Sequence, residues 1–392
     1  METLGIGFIG AGFAADLHAH ALGASRGVKC ELRAVYSRSR ERAEAFARKF
    51  GIPHAYTDHR ALLDRPDIDV VTLPVVTSHH HLFAIDAARA GKHVIVEKPL
   101  TGCFVEAEAL SRQAMLDAAR QNADAILDAC RENGVTLCYA ENFVYAPAMA
   151  KLRRLMDRAG GTLLDLRAEE SHSGSHADYS RRWATAGGGS LLRMGSHPIG
   201  AVIHLKHYEG RQRRGAPIRV ASVIGEVGRL TEVPAVRATS PQWLVTSWED
   251  VEDWSAAILT FEDGTKATVM ATDVSLGGVK NLVTAYFTNG VVQVNINPNT
   301  TLQIYAPEGA VWGDEYLTEK VETKAGWQFP SPDEDWTRGY PQEMADFVDA
   351  LREGREPLSG ALLARETVEV IYAAYVSAQE GRRVDLARDR RG

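Results

Sequence analysis

The feature that most restricts the fold of this chain is a glycine-rich turn directly behind a short apolar segment at its start. Leu4–Ile9 is apolar and typical of a strand, and residues 10–15, Gly-Ala-Gly-Phe-Ala-Ala, follow at once as G-x-G-x-x-A. In such a turn the glycines allow a tight bend and close approach of a pyrophosphate, and the alanine lets the next helix pack on the sheet. The phosphates then lie at the helix N-terminus. We therefore predict a dinucleotide site that includes Gly10, Gly12, Phe13 and Ala14.

The residues after this turn alternate between helical and strand patterns. Helices are predicted at 16–25 and 39–50, and strands at 31–36, 70–73 and 94–96. Residues 103–133 indicate one long helix or two short ones. Alternation of this kind is typical of an α/β unit with a parallel sheet. We expect a Rossmann-type, doubly wound parallel sheet in the first part of the chain.

The pattern changes after Thr162, where hairpin signals replace the alternation. Asp263-Gly264 and Asn289-Gly290 separate β-rich segments, which predicts a large, open, mostly antiparallel sheet. A chain of 392 residues exceeds what one core usually supports. We expect a dinucleotide-binding domain over 1–140 and a substrate-binding and oligomerisation domain over 141–392, with helices at 341–353 and 360–379 packing back on the first domain.

Composition narrows the class of partner. The net charge of −7 gives no basic surface for nucleic acid, and no apolar run has membrane-spanning length. The four cysteines have no metal-binding spacing, so we expect reduced core thiols in a cytoplasmic protein.

The choice of cofactor depends on the end of the second predicted strand. An Asp or Glu there would bind the ribose 2′-hydroxyl of NAD, but this chain has Tyr-Ser-Arg-Ser-Arg at 36–40. Ser37 and Arg38 suit a 2′-phosphate, so NADP(H) is the preferred cofactor. In the alternative, Arg38 and Arg40 only begin a solvated helix and the cofactor is NAD(H).

A charged tripeptide, Glu97-Lys98-Pro99, ends the apolar run at 93–96. The carboxyl end of a strand in a doubly wound sheet faces the crevice where such folds bind ligands. An ammonium group at that point could stabilise charge on a reacting oxygen.

Taken together, these motifs resemble the glucose-fructose oxidoreductase, inositol dehydrogenase and rhizopine catabolism (Gfo/Idh/MocA) family of nucleotide-dependent oxidoreductases. The resemblance rests on the glycine loop with His18, on residues 69–80 and 90–99, and on the block from Gly187 to His197. It implies a Rossmann domain followed by a domain whose exposed sheet face often forms a dimer interface. A homodimer or homotetramer is expected.

The resemblance also implies roles for individual residues. Lys98 matches the lysine that contacts the reacting oxygen, and His197 matches its acid/base partner, a task that suits an imidazole. Cofactor contacts are expected from Thr77, His80, Glu97 and Lys98. Residues 75–77, Val-Val-Thr, replace the Thr-Pro-Asn that relatives often have, so backbone groups and Thr77 are expected to make those contacts.

One departure concerns position 193. Many relatives carry an aspartate four residues before the histidine, whereas this chain has Arg193. A cleft-facing arginine would favour an anionic substrate group, such as a sugar carboxylate or phosphate. The alternative is a structural arginine paired with another carboxylate.

Substrate contacts are expected from two polar segments. Residues 169–179 supply His172 and His176, with Asp178 and Tyr179, and Trp183 is a candidate for stacking on a sugar ring. The junction near 140 supplies Glu141, Asn142 and Tyr145. As an alternative, His172, His176 and His197 could ligate zinc, although no metal is the preferred interpretation.

Three functions are compatible with the family. The leading one is an NAD(P)-dependent dehydrogenase or reductase acting on a hydroxyl or carbonyl of a sugar, sugar derivative or cyclitol. The alternatives are a glycosidase that uses bound NAD for transient oxidation and elimination, and a non-catalytic dinucleotide-binding regulator. The presence of both Lys98 and His197 argues against the regulator.

Overall fold

The first part of the protein is a six-stranded parallel sheet flanked by helices. The computed structural model describes residues 3–25, 27 and 29–386. The elements of this part are β1 Leu4–Ile9, α1 Phe13–Ala24, β2 Cys30–Tyr36, α2 Arg40–Phe50, β3 His54–Tyr56, α3 His59–Leu63, β4 Val70–Leu73, α4 His80–Arg89, β5 His93–Glu97, α5 Arg112–Glu132 and β6 Leu137–Ala140. The strand order is β3-β2-β1-β4-β5-β6, with every pair parallel. The predicted doubly wound sheet is confirmed.

Local sequence explains where these elements begin and turn. Gly10 has φ +126°, and a Cβ atom there would lie 2.6 Å from the Pro74 carbonyl oxygen, so the turn after β1 requires glycine. Ser39 caps α2 by accepting a hydrogen bond from the Arg42 amide. The region at 103–133 contains one helix, α5, which begins only after Ser111.

The second part is built on a seven-stranded sheet. Its elements are α6 Pro147–Ala159, β7 Leu163–Ser171, α7 Trp183–Ala186, α8 Ser190–Arg193, α9 Ser196–Arg214, β8 Val220–Gly228, α10 Pro234–Arg237, β9 Trp254–Phe261, β10 Lys266–Thr272, β11 Lys280–Phe287, β12 Gly290–Asn295, β13 Ile304–Ala306, β14 Gly326–Gln328, α11 Glu334–Arg338, α12 Tyr340–Glu353, α13 Ala361–Glu380 and β15 Val384–Asp385. The order is β12-β11-β7-β10-β9-β8-β15, and only β7 and β10 pair in parallel. The predicted, mostly antiparallel sheet is confirmed.

The two faces of this second sheet differ in their covering. Helices α9 and α13 pack on one face. The opposite face exposes large apolar side chains on five neighbouring strands, namely Leu164, Ile224, Ile258, Met270 and Leu282. An antiparallel sheet normally pairs a buried face with a polar one, so this apolar row is unusual for a solvated surface.

The last helices connect the two parts of the molecule. Helix α12 packs on α1, and α13 contacts both α5 and β8. The segment between β12 and α11 brings Glu319 and Lys320 close to the end of β7. The charge of Lys98, directly after β5, also influences Glu170 near the end of β7, so the carboxyl ends of β5 and β7 lie close together.

The four cysteines are unpaired, with Cys30 half-buried and the other three buried. Within the described residues, every helix is too short or too polar to span a membrane.

Candidate active site

A cleft of about 490 Å³ opens at the carboxyl ends of β1, β2 and β4. Its walls come from the glycine loop, the end of β2, the start of α2 and the segment after β4. The lining residues are Gly10, Ala11, Gly12, Phe13, Ala14, Tyr36, Ser37, Arg38, Ser39, Arg42, Pro74, Val75, Val76, His79, Phe83 and Tyr179. This cleft therefore contains all four cofactor residues predicted from the glycine motif. It also contains Ser37 and Arg38, the two predicted at the end of β2.

Gly12 gives a direct test of whether this cleft fits a dinucleotide. A Cβ atom at Gly12 would meet nothing within 4 Å, so the packing of the chain itself does not require glycine there. The residue begins α1, whose free amide groups point towards the cleft as an anion site requires. The open backbone and the helix N-terminus together fit a pyrophosphate.

The end of the cleft beside α2 is positively charged. Arg38 and Arg42 line it with Ser37, while Arg40 pairs with Glu44 at 3.7 Å on the exposed face of α2. Arg38 thus lines the cleft and Arg40 does not, a distinction that the sequence pattern did not provide. Arg42 was missed, although its position one helical turn beyond Ser39 places it on the cleft side of α2.

The segment after β4 differs from the prediction. Thr77 is buried and lies outside the cleft lining. His80 is 1% exposed, and its Nδ1 and Nε2 atoms lie 2.9 Å and 3.1 Å from the carbonyl oxygens of Pro99 and Val75. Both ring nitrogens are occupied by backbone, so His80 holds the loop after β5 against the loop after β4 and has no free atom for the cofactor.

From this segment, His79 lines the cleft, whereas Thr77 and His80, which were predicted to do so, do not. Partial burial, with the charge of Arg38 added, lowers the pKa of His79. The histidine is therefore neutral at pH 7 beside the cationic end of the cleft.

Glu97 is held by a buried hydrogen-bond chain that begins on α1. His18 is fully buried, with Nδ1 2.6 Å from Thr72 Oγ1 and Nε2 2.7 Å from Glu97 Oε1. The other carboxylate oxygen accepts a hydrogen bond from the Lys98 amide at 3.0 Å. Burial raises the pKa of Glu97, but His18 and then Lys98 outweigh it and hold that pKa below its ordinary value. Glu97, predicted to contact the cofactor, therefore has one oxygen bonded to His18 and the other to the backbone of Lys98.

Lys98 reaches from the first part of the molecule to the second. Its Nζ donates to the Arg193 carbonyl oxygen at 2.9 Å, in the turn between α8 and α9 that leads to His197. The Lys98 charge is also close enough to Glu141, Glu170, His172 and His197 to affect their pKa values. The ammonium group is thus the centre of the titratable groups at the carboxyl ends of β5 and β7.

His197 is oriented on both sides of its ring. Nδ1 lies 2.7 Å from Glu141 Oε1, and the ring stacks on Phe143 with centroids 4.6 Å apart. Its Nε2 has no hydrogen-bond partner in the part of the chain that the structure describes. Burial, followed by the charges of Lys98 and Arg338, holds the pKa of His197 well below its usual range, while burial raises the pKa of Glu141. The imidazole is therefore neutral, and Nε2 is its ring nitrogen without a hydrogen-bond partner among the described residues.

Arg193 takes the structural alternative and not the anion-binding role. Its Nη2 atom lies 2.5 Å from Asp273 Oδ2, and its guanidinium lies 4.8 Å from the ring centroid of Trp248. Asp273 is fully buried at the end of β10. Because this carboxylate neutralises the guanidinium, Arg193 offers no free positive charge to an anionic substrate group.

Three further substrate candidates are structural. The Asn142 amide nitrogen donates to the Arg338 carbonyl oxygen, and the Tyr145 hydroxyl donates to Asp346. Trp183 is 1% exposed, and its indole donates to the Cys103 carbonyl oxygen, so it cannot stack on a sugar. Tyr179 lines the dinucleotide cleft.

The two loop histidines differ in environment. His172 is 8% exposed, and its Nδ1 accepts a hydrogen bond from the Gly174 amide. Burial, then Lys320 and Arg193, lower its pKa well below the ordinary value. His176 is exposed. Within the described residues, no group of three or more His, Cys, Asp or Glu side chains could hold a metal ion.

This geometry defines a dinucleotide-binding protein of the Rossmann class in which Lys98, at the end of β5, lies close enough to His197 of the second part to influence its pKa. Comparison with family models agrees. Residues 4–127 match the oxidoreductase family with an NAD-binding Rossmann fold, and residues 149–293 match the GFO/IDH/MocA C-terminal domain. These matches together cover more than half of the chain, which belongs to the Gfo/Idh/MocA family.

Curated relatives include two sugar enzymes. One is the dTDP-3,4-didehydro-2,6-dideoxy-alpha-D-glucose 3-reductase of Streptomyces violaceoruber, 37% identical over 195 residues, which are 49% of this chain and 51% of the relative. The match thus spans about half the length of that reductase. Another is D-xylose 1-dehydrogenase (NADP(+)) 2 of Haloferax volcanii, 24% identical over 91% of this chain and 92% of the relative.

Among solved structures, GenD2 from gentamicin A biosynthesis, in complex with NAD, is similar over nearly the whole fold. The identity is 26% and the TM-score 0.79, with 99% of this chain and 97% of GenD2 covered.

Proposed function

We propose that this protein is an NAD(P)-dependent oxidoreductase that transfers hydride between a nicotinamide and a hydroxyl or carbonyl of a sugar, sugar derivative or cyclitol. The observation that carries the proposal is that Lys98 Nζ binds the Arg193 carbonyl oxygen, four residues before His197, and that its charge acts on the oriented imidazole of His197. The similarity to curated sugar dehydrogenases and reductases supports the same reaction class.

Each of the three groups has a separate task. His197 Nε2 takes the hydroxyl proton during oxidation and returns it during reduction. Lys98 donates a hydrogen bond to the substrate oxygen and stabilises negative charge that develops there. Glu141 holds His197 Nδ1, so that Nε2 is the atom presented to the substrate. The glycine loop and the N-terminus of α1 would hold the pyrophosphate of a dinucleotide, whose nicotinamide would supply or accept the hydride.

The test is a cofactor-dependent screen of the purified protein. Nicotinamide absorbance is followed with NADP⁺ or NAD⁺ and panels of aldoses, anhydrosugars and inositols, and with NADPH or NADH and the corresponding keto compounds. Net, stoichiometric cofactor turnover supports a dehydrogenase. Cleavage of a glycoside without net turnover would instead indicate the redox-assisted glycosidase, and binding without chemistry would indicate the regulator.

We further propose that NADP(H) is the preferred cofactor, because Arg38, Arg42 and the N-terminus of α2 meet at one end of the cleft. Replacing Arg38 or Arg42 with alanine should weaken NADPH binding roughly 10- to 100-fold, as expected for loss of a charge-assisted hydrogen bond to phosphate. NADH affinity should change little. Fluorescence titration of both cofactors provides the measurement.

Arg40→Ala is the matched control for this comparison, since Arg40 begins the same helix but pairs with Glu44 away from the cleft. Its NADPH affinity should equal that of the wild type. Equal losses for NADPH and NADH in the Arg38 and Arg42 variants would remove the argument for a 2′-phosphate site.

We also propose a division into a dinucleotide-binding domain, 1–140, and a substrate-binding and oligomerisation domain, 141–392.

The exposed apolar row on the second sheet, with Ile224 directly opposite Ile258, supports a homodimer through that face. A monomer in sedimentation velocity at micromolar concentration would contradict the homodimer.

The unpaired cysteines support a cytoplasmic location.

A further inference from the structure

The inner face of the second sheet ends in a row of polar side chains that the proposed chemistry does not use. Glu170 lies one residue before the end of β7, directly opposite Asn281 on β11 and Ala271 on β10. Asp273 follows β10 by one residue, on the same face as Ala271. Glu170 is 8% exposed, Asn281 2% and Asp273 0%.

Each member of this row has a buried oxygen without a hydrogen-bond partner. The atoms are Glu170 Oε2, Asn281 Oδ1 and Asp273 Oδ1, and Glu141 Oε2 beside His197 is a fourth. Buried polar atoms in native proteins are nearly always satisfied by protein, water or ligand. All four oxygens can accept hydrogen bonds, and a ligand with several hydroxyl groups offers matching donors.

Glu170 is the least satisfied member of the row. Its carboxyl group makes no hydrogen bond or ion pair within the described residues, although the charges of Lys98 and Arg338 lie close enough to influence it. Burial raises the pKa of Glu170 to about 7 against that opposing influence, with Glu319 and Asp273 adding to the rise. A desolvated carboxyl group without a partner costs stability in the ligand-free protein.

We propose that Glu170 and Asn281 form a hydroxyl-binding subsite beside Lys98, which accepts hydrogen bonds from substrate hydroxyls next to the reacting one. The inference rests on the proposed function and specifies its substrate as a neutral polyol with vicinal hydroxyl groups. Arg193 is neutralised by Asp273, but its Nε is a buried donor without a partner, so four acceptors and one donor lie here, a set that suits neutral hydroxyl groups.

The first test compares Glu170→Leu and Glu170→Gln with the wild type in binding. Thermal unfolding is recorded with saturating NADPH, with and without D-xylose, myo-inositol or levoglucosan as probes. At least one probe should raise the Tm of the wild type, and that rise should be lost in Glu170→Leu and reduced in Glu170→Gln, which keeps one acceptor oxygen. NADPH affinity should stay unchanged in both variants.

The second test uses stability without probe. Removing an unpaired buried carboxyl group should leave Tm unchanged or raise it by about 2 °C or more. A merely structural Glu170 would instead give a lower Tm in both variants. Glu169→Gln is the matched control, because Glu169 points to the opposite face of β7 and bonds to Ser171. It should leave every probe response as in the wild type.

The outcomes separate the inference from the proposed function. Hydride transfer to a polyol with the same KM in Glu170→Leu and wild type would overturn the subsite and leave the oxidoreductase standing. Failure of every polyol probe to shift the wild-type Tm would also overturn it, even if another substrate class were turned over. A tenfold or larger rise in KM, with kcat less affected, supports it.

Discussion

Lys98→Met should lower turnover on the order of 1,000-fold and leave NADPH binding within about threefold of the wild type. The ammonium group is the nearest fixed cation to the place where an alkoxide would develop, and removing such a stabiliser costs about 100- to 1,000-fold in rate. Methionine keeps the apolar stem and loses the hydrogen bond to the Arg193 carbonyl oxygen, a contribution of only ~1 kcal/mol to stability.

The measurement is single-turnover hydride transfer with the best substrate from the screen, together with an NADPH titration. Lys151→Met, on the exposed side of α6, is the control for loss of a lysine and should behave as the wild type. Activity within tenfold of the wild type corresponds to a barrier change of about 1.4 kcal/mol, which is too small for the role assigned to Lys98.

His197→Asn should lower the oxidation rate by roughly 100- to 10,000-fold, the range for loss of a positioned general base. The expected pH dependence follows from the depressed pKa of His197. Because burial and the charges of Lys98 and Arg338 disfavour the imidazolium, the base remains neutral as pH falls from 8 to about 6.5. In the Glu170→Gln background, which removes a carboxyl group whose pKa is about 7, kcat/KM for oxidation should therefore hold level over that range and decrease only at lower pH, where His197 takes up its proton.

The His197→Asn variant should lose that acidic decrease along with most of its rate. His54→Asn, at an exposed position in β3, controls for removal of a histidine. A decrease in kcat/KM centred above pH 7 in the Glu170→Gln background would contradict the assignment of His197 as the base. Such a decrease would need a base whose pKa is raised and not lowered.

Local patterns predicted the parts of the molecule that depend on neighbouring residues. The glycine turn, the alternation of strands and helices, and the hairpin signals at 263–264 and 289–290 depend on backbone preference and periodicity, and the predicted sheets follow. Gly10 and Lys98 also lie directly after the carboxyl ends of β1 and β5, as the sequence predicted. Such features are visible in sequence because each is set within a few residues.

The errors concern contacts between distant parts of the chain. Arg193 and Asp273 are 80 residues apart, and the buried partners of Trp183 and His80 lie on other elements. Nothing local distinguishes a histidine that faces a cleft from one whose ring is taken by two carbonyl groups. The sequence predicted that residues 169–179 face the substrate but did not single out Glu170, because its unsatisfied carboxyl group depends on which residues the fold places beside it.

The ion pair between Arg193 and Asp273 restricts how this site can evolve. An aspartate at 193 would meet the fully buried Asp273 and leave two carboxylates with no cation between them. Loss of Asp273 alone would leave a buried guanidinium unpaired. The two positions are therefore epistatic: either residue can change only when the other changes with it, so the role of residue 193 cannot be transferred between relatives without knowing residue 273.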